Sequence, residues 1–245
     1  MKNILLTSLI IFCSAKNYAC DKCGNYNNDN FQIVSVSVTK SPAIAATIWE
    51  ITVKGKAGET TPKPVGQLNG APVLGYVFPT SLKPSDVGFN DTEGIVALAL
   101  TSHPDFDDSP LWDENLDKNN GNDGLVWHPH WVILTKDSRV EGGLAVKQFE
   151  TNDASVKLPP TSPGMPMYMD SPGFQVITDN NTIRVVVPNY RINNKTDFSF
   201  DGVTAYMEVN TGGDSNHSNG ALPMLGVYKV YSIASGNLSL PYKVQ

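Results

Sequence analysis

Residues Leu125 to Leu134 read LVWHPHWVIL, a run that places two of the chain's four histidines two residues apart. The run reads as a strand, and side chains alternate faces along a strand. His128 and His130 therefore share one face with Val132 and Leu134, while Trp127, Pro129 and Trp131 line the other. Two imidazoles on one rigid face, flanked by large aromatic rings, can present half of a transition-metal site. Pro129 lacks a ladder donor, which predicts an edge strand or a bulge at this point and opens the pair to solvent or ligand.

Directly upstream lies an acidic loop, residues 102-124, with almost no apolar periodicity and carrying Asp105, Asp107, Asp108, Asp113, Glu114, Asp117 and Asp123. A loop of that length inside a compact domain is usually functional or disordered. His103 opens it, in HPDFDD, at the end of the IVALAL run. If the runs on either side of the loop are neighbouring strands, His103 approaches the His128 and His130 pair from the adjacent edge. Three imidazoles with one carboxylate or a water suit tetrahedral zinc, and the set expected from the sequence is His103, His128, His130 and Asp105. Asp105 and Asp107 could instead orient an imidazole through its other nitrogen. The segment DKNNGNDG has the composition of a calcium loop but not its spacing, since Gly121 falls where a ligand is needed. Calcium at Asp107, Asp108 and Asp113 has no motif behind it.

Outward from this stretch the chain is a succession of short apolar segments and turns. Phe31 to Thr39 alternates apolar and polar residues, and Ala46 to Val53 (ATIWEITV) is a second strand. Val73 to Phe78 and Ile95 to Leu100 are near-continuous apolar runs, as expected of strands covered on both faces. A single helical turn is expected near Pro84. Leu144 to Phe149, Phe174 to Thr178, Thr182 to Pro188, Gly202 to Asn210 and Leu225 to Ile233 complete the strands. The turn Asp179-Asn180-Asn181 joins two of them in a hairpin. There is no internal repeat and no linker. The fold class expected is all-β, a two-layer antiparallel β-sandwich of roughly ten strands with long loops, spanning 20-245 as one domain.

Composition agrees: 40% of the residues are hydrophobic, only 17% are charged, and 20 glycines with 17 prolines favour turns over long helices. A net charge of -6 argues against nucleic acid or an anionic membrane as partner, because both select basic patches. Residues 1-19 carry Lys2, then an apolar run from Ile4 to Phe12 and small residues, which is the pattern of a secretory signal peptide and too short for an integral membrane span. Cleavage after Ala19 leaves Cys20 first; cleavage after Ala15 and a lipid anchor on Cys20 are the alternatives. The expected location is a bacterial periplasm or the cell exterior. Cys20 and Cys23 then form either a small local disulfide or a thiolate pair for a soft metal or redox chemistry.

The HPHW tetrapeptide is similar to the zinc strand of α-type carbonic anhydrases, which have a third histidine downstream. Here the next histidine is His217, in the polar loop DSNHSNG, so that family is set aside. The leader, the CxxC start, the acidic loop and the HxH strand together resemble secreted bacterial proteins associated with zinc supply. That resemblance implies storage, delivery or structural use of a divalent ion, zinc foremost; copper is the alternative cofactor, on a separate ground. Met165, Met167 and Met169 in MPMYMD have a spacing that suits Cu(I), or else fill an apolar gap under a loop. A rival reading is a carbohydrate-binding or other organic-ligand module with Trp112, Trp127, Trp131 and Tyr168 as stacking platforms. A metal-dependent hydrolase would need an open coordination position and a base, Asp105 or Glu114. No nucleophile motif or phosphate-binding glycine pattern is present.

Overall fold

The runs that are apolar on both faces set the architecture, because each must be covered twice. In the computed structural model, which describes residues 20, 22–109, 118, 123–211 and 222–245, thirteen strands and six short 3-10 turns are found and no α-helix. The strands are Ile33–Ser41 (β1), Ala46–Val53 (β2), Pro72–Pro79 (β3), Ile95–Ser102 (β4), His128–Lys136 (β5), Leu144–Val146 (β6), Met169–Asp170 (β7), Val176–Asp179 (β8), Thr182–Pro188 (β9), Ser199–Phe200 (β10), Val203–Val209 (β11), Leu225–Ile233 (β12) and Tyr242–Lys243 (β13). A 3-10 turn covers Pro84–Val87, where one helical turn is expected. The leader 1-19, Trp112, Asp113, Glu114, Asp117 and His217 lie outside the described residues.

Four strands form one antiparallel sheet in the order β1, β2, β9, β8, and the Asp179-Asn180-Asn181 turn joins β8 to β9 as a hairpin. The remaining long strands run β4, β3, β11, β12, β6, β5, and β5 then pairs back onto β4 from Thr101 opposite His128 to Ile95 opposite Leu134. The all-β expectation holds, but the simple two-layer sandwich does not, because that last pairing closes six strands into a barrel. What remains of the sandwich is the four-stranded sheet lying on one side of the barrel wall. Trp49, Ile51 and Val53 of β2 and Ile183, Val185 and Val187 of β9 pack there against Leu74, Tyr76, Phe78, Leu98 and Trp131 on the barrel's outer face.

The opposite faces of the same barrel strands point inward. Val73, Val77, Ala97, Ala99, Val132 and Ala205 belong to a second apolar cluster, inside the barrel, together with Met167, Met169 and Met207. This explains why VLGYVF and IVALAL are apolar on both faces: one looks onto the sheet, the other into the lumen. A β-carbon at Gly75 in that wall would lie 2.8 Å from the Met207 methyl group, which would have to move aside. Cys20 and Cys23 are joined in a disulfide, so neither sulfur is available as a thiolate ligand. Among the described residues no helix is long and apolar enough to cross a membrane.

Candidate metal centre

Strand alternation brings the histidines together. Along β4, Ala99 and Thr101 face the lumen, and His103, one residue past the strand, continues that row. β5 runs antiparallel beside it, with His130 opposite Ala99 and His128 opposite Thr101. β5 joins β7 at Trp131 and Val132 and joins β6 from Leu134 to Lys136, so Pro129 precedes both of these ladders. The proline therefore costs no ladder bond on that side, but β5 is not an edge strand, and the pair expected to be open to solvent is buried.

The chain after His103 folds back over the two strand histidines. Phe106 stacks on the His103 ring at 4.0 Å and 6°, and its carbonyl lies 3.0 Å from His103 Nδ1. Asp107 Oδ1 accepts from the Ser109 amide at 2.8 Å, shaping the turn that presents Asp108. Gly124 packs against the same turn: His103 N donates to Gly124 O at 2.6 Å. A β-carbon on Gly124 would lie 2.6 Å from His103 Nδ1 and would overlap the carbonyl oxygens of His103 and Phe106.

Four ligand atoms converge. Asp108 Oδ1 lies 3.2 Å from His103 Nε2, 3.1 Å from His128 Nε2 and 3.4 Å from His130 Nε2. His103 Nε2 and His128 Nε2 are 2.9 Å apart. A tetrahedral ion with bonds of about 2.0–2.1 Å has ligand-to-ligand edges of about 3.3–3.4 Å, so these spacings are close to those such an ion imposes. All four side chains are buried, none more than 5% exposed.

The second nitrogens settle where the protons are. His103 Nδ1 faces the Phe106 carbonyl at 3.0 Å and His128 Nδ1 faces the Val126 carbonyl at 2.5 Å; carbonyls only accept, so both Nδ1 atoms carry hydrogen. Ser171 Oγ donates to the Asp108 carbonyl at 2.5 Å, which leaves it to accept from His130 Nδ1 at 3.0 Å. A ring in its neutral form therefore turns an unprotonated Nε2 inward. Thr101 Oγ1 is 3.4 Å from His128 Nε2, and among the described residues nothing hydrogen-bonds to His130 Nε2.

Burial pushes the His130 pKa down to about 3, and the neighbouring His128 and His103 rings push the same way, against the attraction of the Asp108 carboxylate. Burial alone would raise the Asp108 carboxyl, but positive charge on the facing His103 and His130 rings, and hydrogen bonds from His103 and His128 where their Nε2 atoms carry a proton, outweigh it and hold it well below the usual carboxylate range. The pocket thus holds neutral His130 beside an ionised carboxylate. Lone pairs facing one another in a buried space repel, and a bound cation removes that cost.

His103, His128 and His130 are brought together as the sequence suggests; Asp105 is not. Its carboxylate accepts from the backbone of Val65 at 2.9 and 3.0 Å and of Gly66 at 2.7 Å, which pins the 65–66 loop. Asp108, three residues on, supplies the carboxylate of the group instead. The imidazole-orienting role expected of Asp105 and Asp107 falls to two backbone carbonyls and to Ser171, which the sequence reading did not single out. The aromatic platforms are also corrected. Trp127 donates to Gly58 O at 2.8 Å and stands edge-on to Tyr76; Trp131 packs on Trp49, and Tyr168 against Phe89 and Phe149. All three rings are core side chains, and Trp112 and Glu114 lie outside the described residues. No known protein family, curated protein or solved structure matches this chain.

Proposed function

We propose that this protein binds and retains a divalent transition-metal ion, zinc foremost, through Nε2 of His103, His128 and His130 and Oδ1 of Asp108. One observation carries the reading: four buried ligand atoms lie within 4.8 Å of one another, and the three Nδ1 positions are taken up by other partners. Three imidazoles and one carboxylate are borderline ligands suited to zinc, and four protein ligands fill a tetrahedral shell, as in structural rather than catalytic zinc sites. The depth of the site supports long retention, hence storage or structural use, over rapid handover. Copper is the second candidate, because Met165, Met167 and Met169 line the cavity that reaches the centre. The leader and the Cys20–Cys23 disulfide support an oxidising compartment, a bacterial periplasm or the cell exterior, as the place of work.

The test is metal analysis of protein purified without chelator, compared with the His128→Ala/His130→Ala double variant. One equivalent of zinc or copper in the wild type and none in the variant is expected. Equal metal content in the two would sink the reading.

A further inference from the structure

The barrel is hollow. A cavity of about 80 Å³ lies inside it, walled by side chains from all six strands. The wall is left open by small residues, among them Ala99, Ala205, Val73 and Val132, where larger side chains would close the lumen. Thr101, His103, Asp108 and His130 are the polar side chains of the lining, and all stand at one end. At the other end Val203 pairs with Ile233, and Val230, Ile233 and Leu238 are half-buried.

We propose that this lumen binds one small nonpolar molecule, of the size class of dioxygen or xenon, against the inner face of the metal centre. The chamber stands on its own geometry; its place beside an ion rests on the metal reading above. Size and polarity select the ligand. An apolar cavity of roughly 150 Å³ stays dry and takes benzene or xenon, so this smaller one admits only a few heavy atoms. A molecule that needed several hydrogen bonds would lose most of them here, since the His103 and His130 Nδ1 hydrogens are already bonded and, beyond the Thr101 hydroxyl and the ligand atoms at one end, the wall is apolar. The methionines Met165, Met167, Met169 and Met207 line the cavity too, and their unbranched thioether chains can reshape around an occupant. The lumen beside the ligand shell thereby favours nonpolar molecules over water and small anions.

The experiment is a xenon titration followed by 129Xe NMR on metal-free, zinc-loaded and cobalt(II)-loaded protein. Saturable binding to the wild type is expected, weakened at least tenfold by Ala205→Leu with zinc stoichiometry unchanged. If that variant does not fold, Ala99→Val is the milder filling substitution and should weaken xenon in the same direction. Cobalt should broaden the bound-xenon resonance relative to zinc, which needs no variant. A folded wild type without saturable xenon binding overturns the proposal, as does binding that a folded filling variant leaves unchanged. Equal line widths with one cobalt bound per chain would overturn the placement beside the ion. Xenon binding in a protein that takes up no metal would uphold the chamber while refuting the metal reading.

Discussion

The two faces of the barrel wall are built on opposite plans. Outside, Trp49 stands edge-on to Phe78 and Trp131 and stacks on Phe198, with ring centroids 5.2–5.8 Å apart. Inside, alanines, valines and methionines surround a cavity that ends at four buried ligand atoms. The outer face spends large rings on close packing and so carries the stability of the fold. The inner face forgoes that packing, leaving a hollow next to the buried ligand atoms. A chain selected for stability alone would fill the lumen, so the contrast separates the part that holds the fold from the part that is kept for a ligand.

The widest test of that contrast is truncation on each side. Trp49→Ala should cost about 3–5 kcal/mol in urea unfolding of the metal-free protein, and Met207→Ala, beside the cavity, about 2 kcal/mol, the low end for such a change. Equal losses would erase the distinction between the faces. Next in size is the ion itself. Zinc at about a thousandfold above its dissociation constant should stabilise the wild type by about 4 kcal/mol, read as a rise in melting temperature, and should leave the His128→Ala/His130→Ala variant unmoved.

Gly124→Ala probes the loop side of the centre. Its β-carbon forces the His103 turn outward, and a competition titration against a chromophoric chelator should show zinc affinity lowered about 10–100-fold, the scale seen when outer partners of a metal ligand are disturbed. An unchanged affinity would mean that the turn adapts freely. The smallest effect per step is the pH dependence of the metal-free protein. Folded His130 is held at about 3, whereas an imidazole in the unfolded chain titrates near 6.5. Below about pH 6.5 the unfolded state therefore binds a proton that the folded state refuses, and stability falls as pH falls, by at most about 1.4 kcal/mol per unit. Asp108, held low, adds a loss of the same sign as pH drops further through its folded value. His130→Ala should flatten the first part of that slope in urea midpoints measured between pH 7 and 5.

Much of this was legible in the chain. ATIWEITV and TIRVVVP fall on β2 and β9 with the expected bounds, and the period of two in HPH aims both imidazoles into the lumen. Closure of the barrel was not legible, because it depends on β4 meeting β5 across the long loop and on β6, which is only three residues long. Pairing between distant strands leaves no periodicity in a single sequence. Asp108 was hidden for a related reason. In HPDFDD three aspartates compete with no regular spacing to rank them, and what decides is a turn held by Phe106 on one side and by Ser171, more than sixty residues away, on the other. The methionines were ambiguous between packing and metal; they lie on the lumen wall, which keeps both roles in reach.

The centre is assembled from two kinds of chain. His128 and His130 are fixed in β5, which is paired to β4 along its length, while His103 and Asp108 lie on the irregular segment that folds over them. With all four side chains buried, release of an ion bound as proposed would require that segment to lift, and the lifetime of the ion would then serve as a clock for loop opening. Ser171, bonded to both the Asp108 carbonyl and His130, ties that segment to β5, so loosening it would change both the rate of release and the affinity of the closed site.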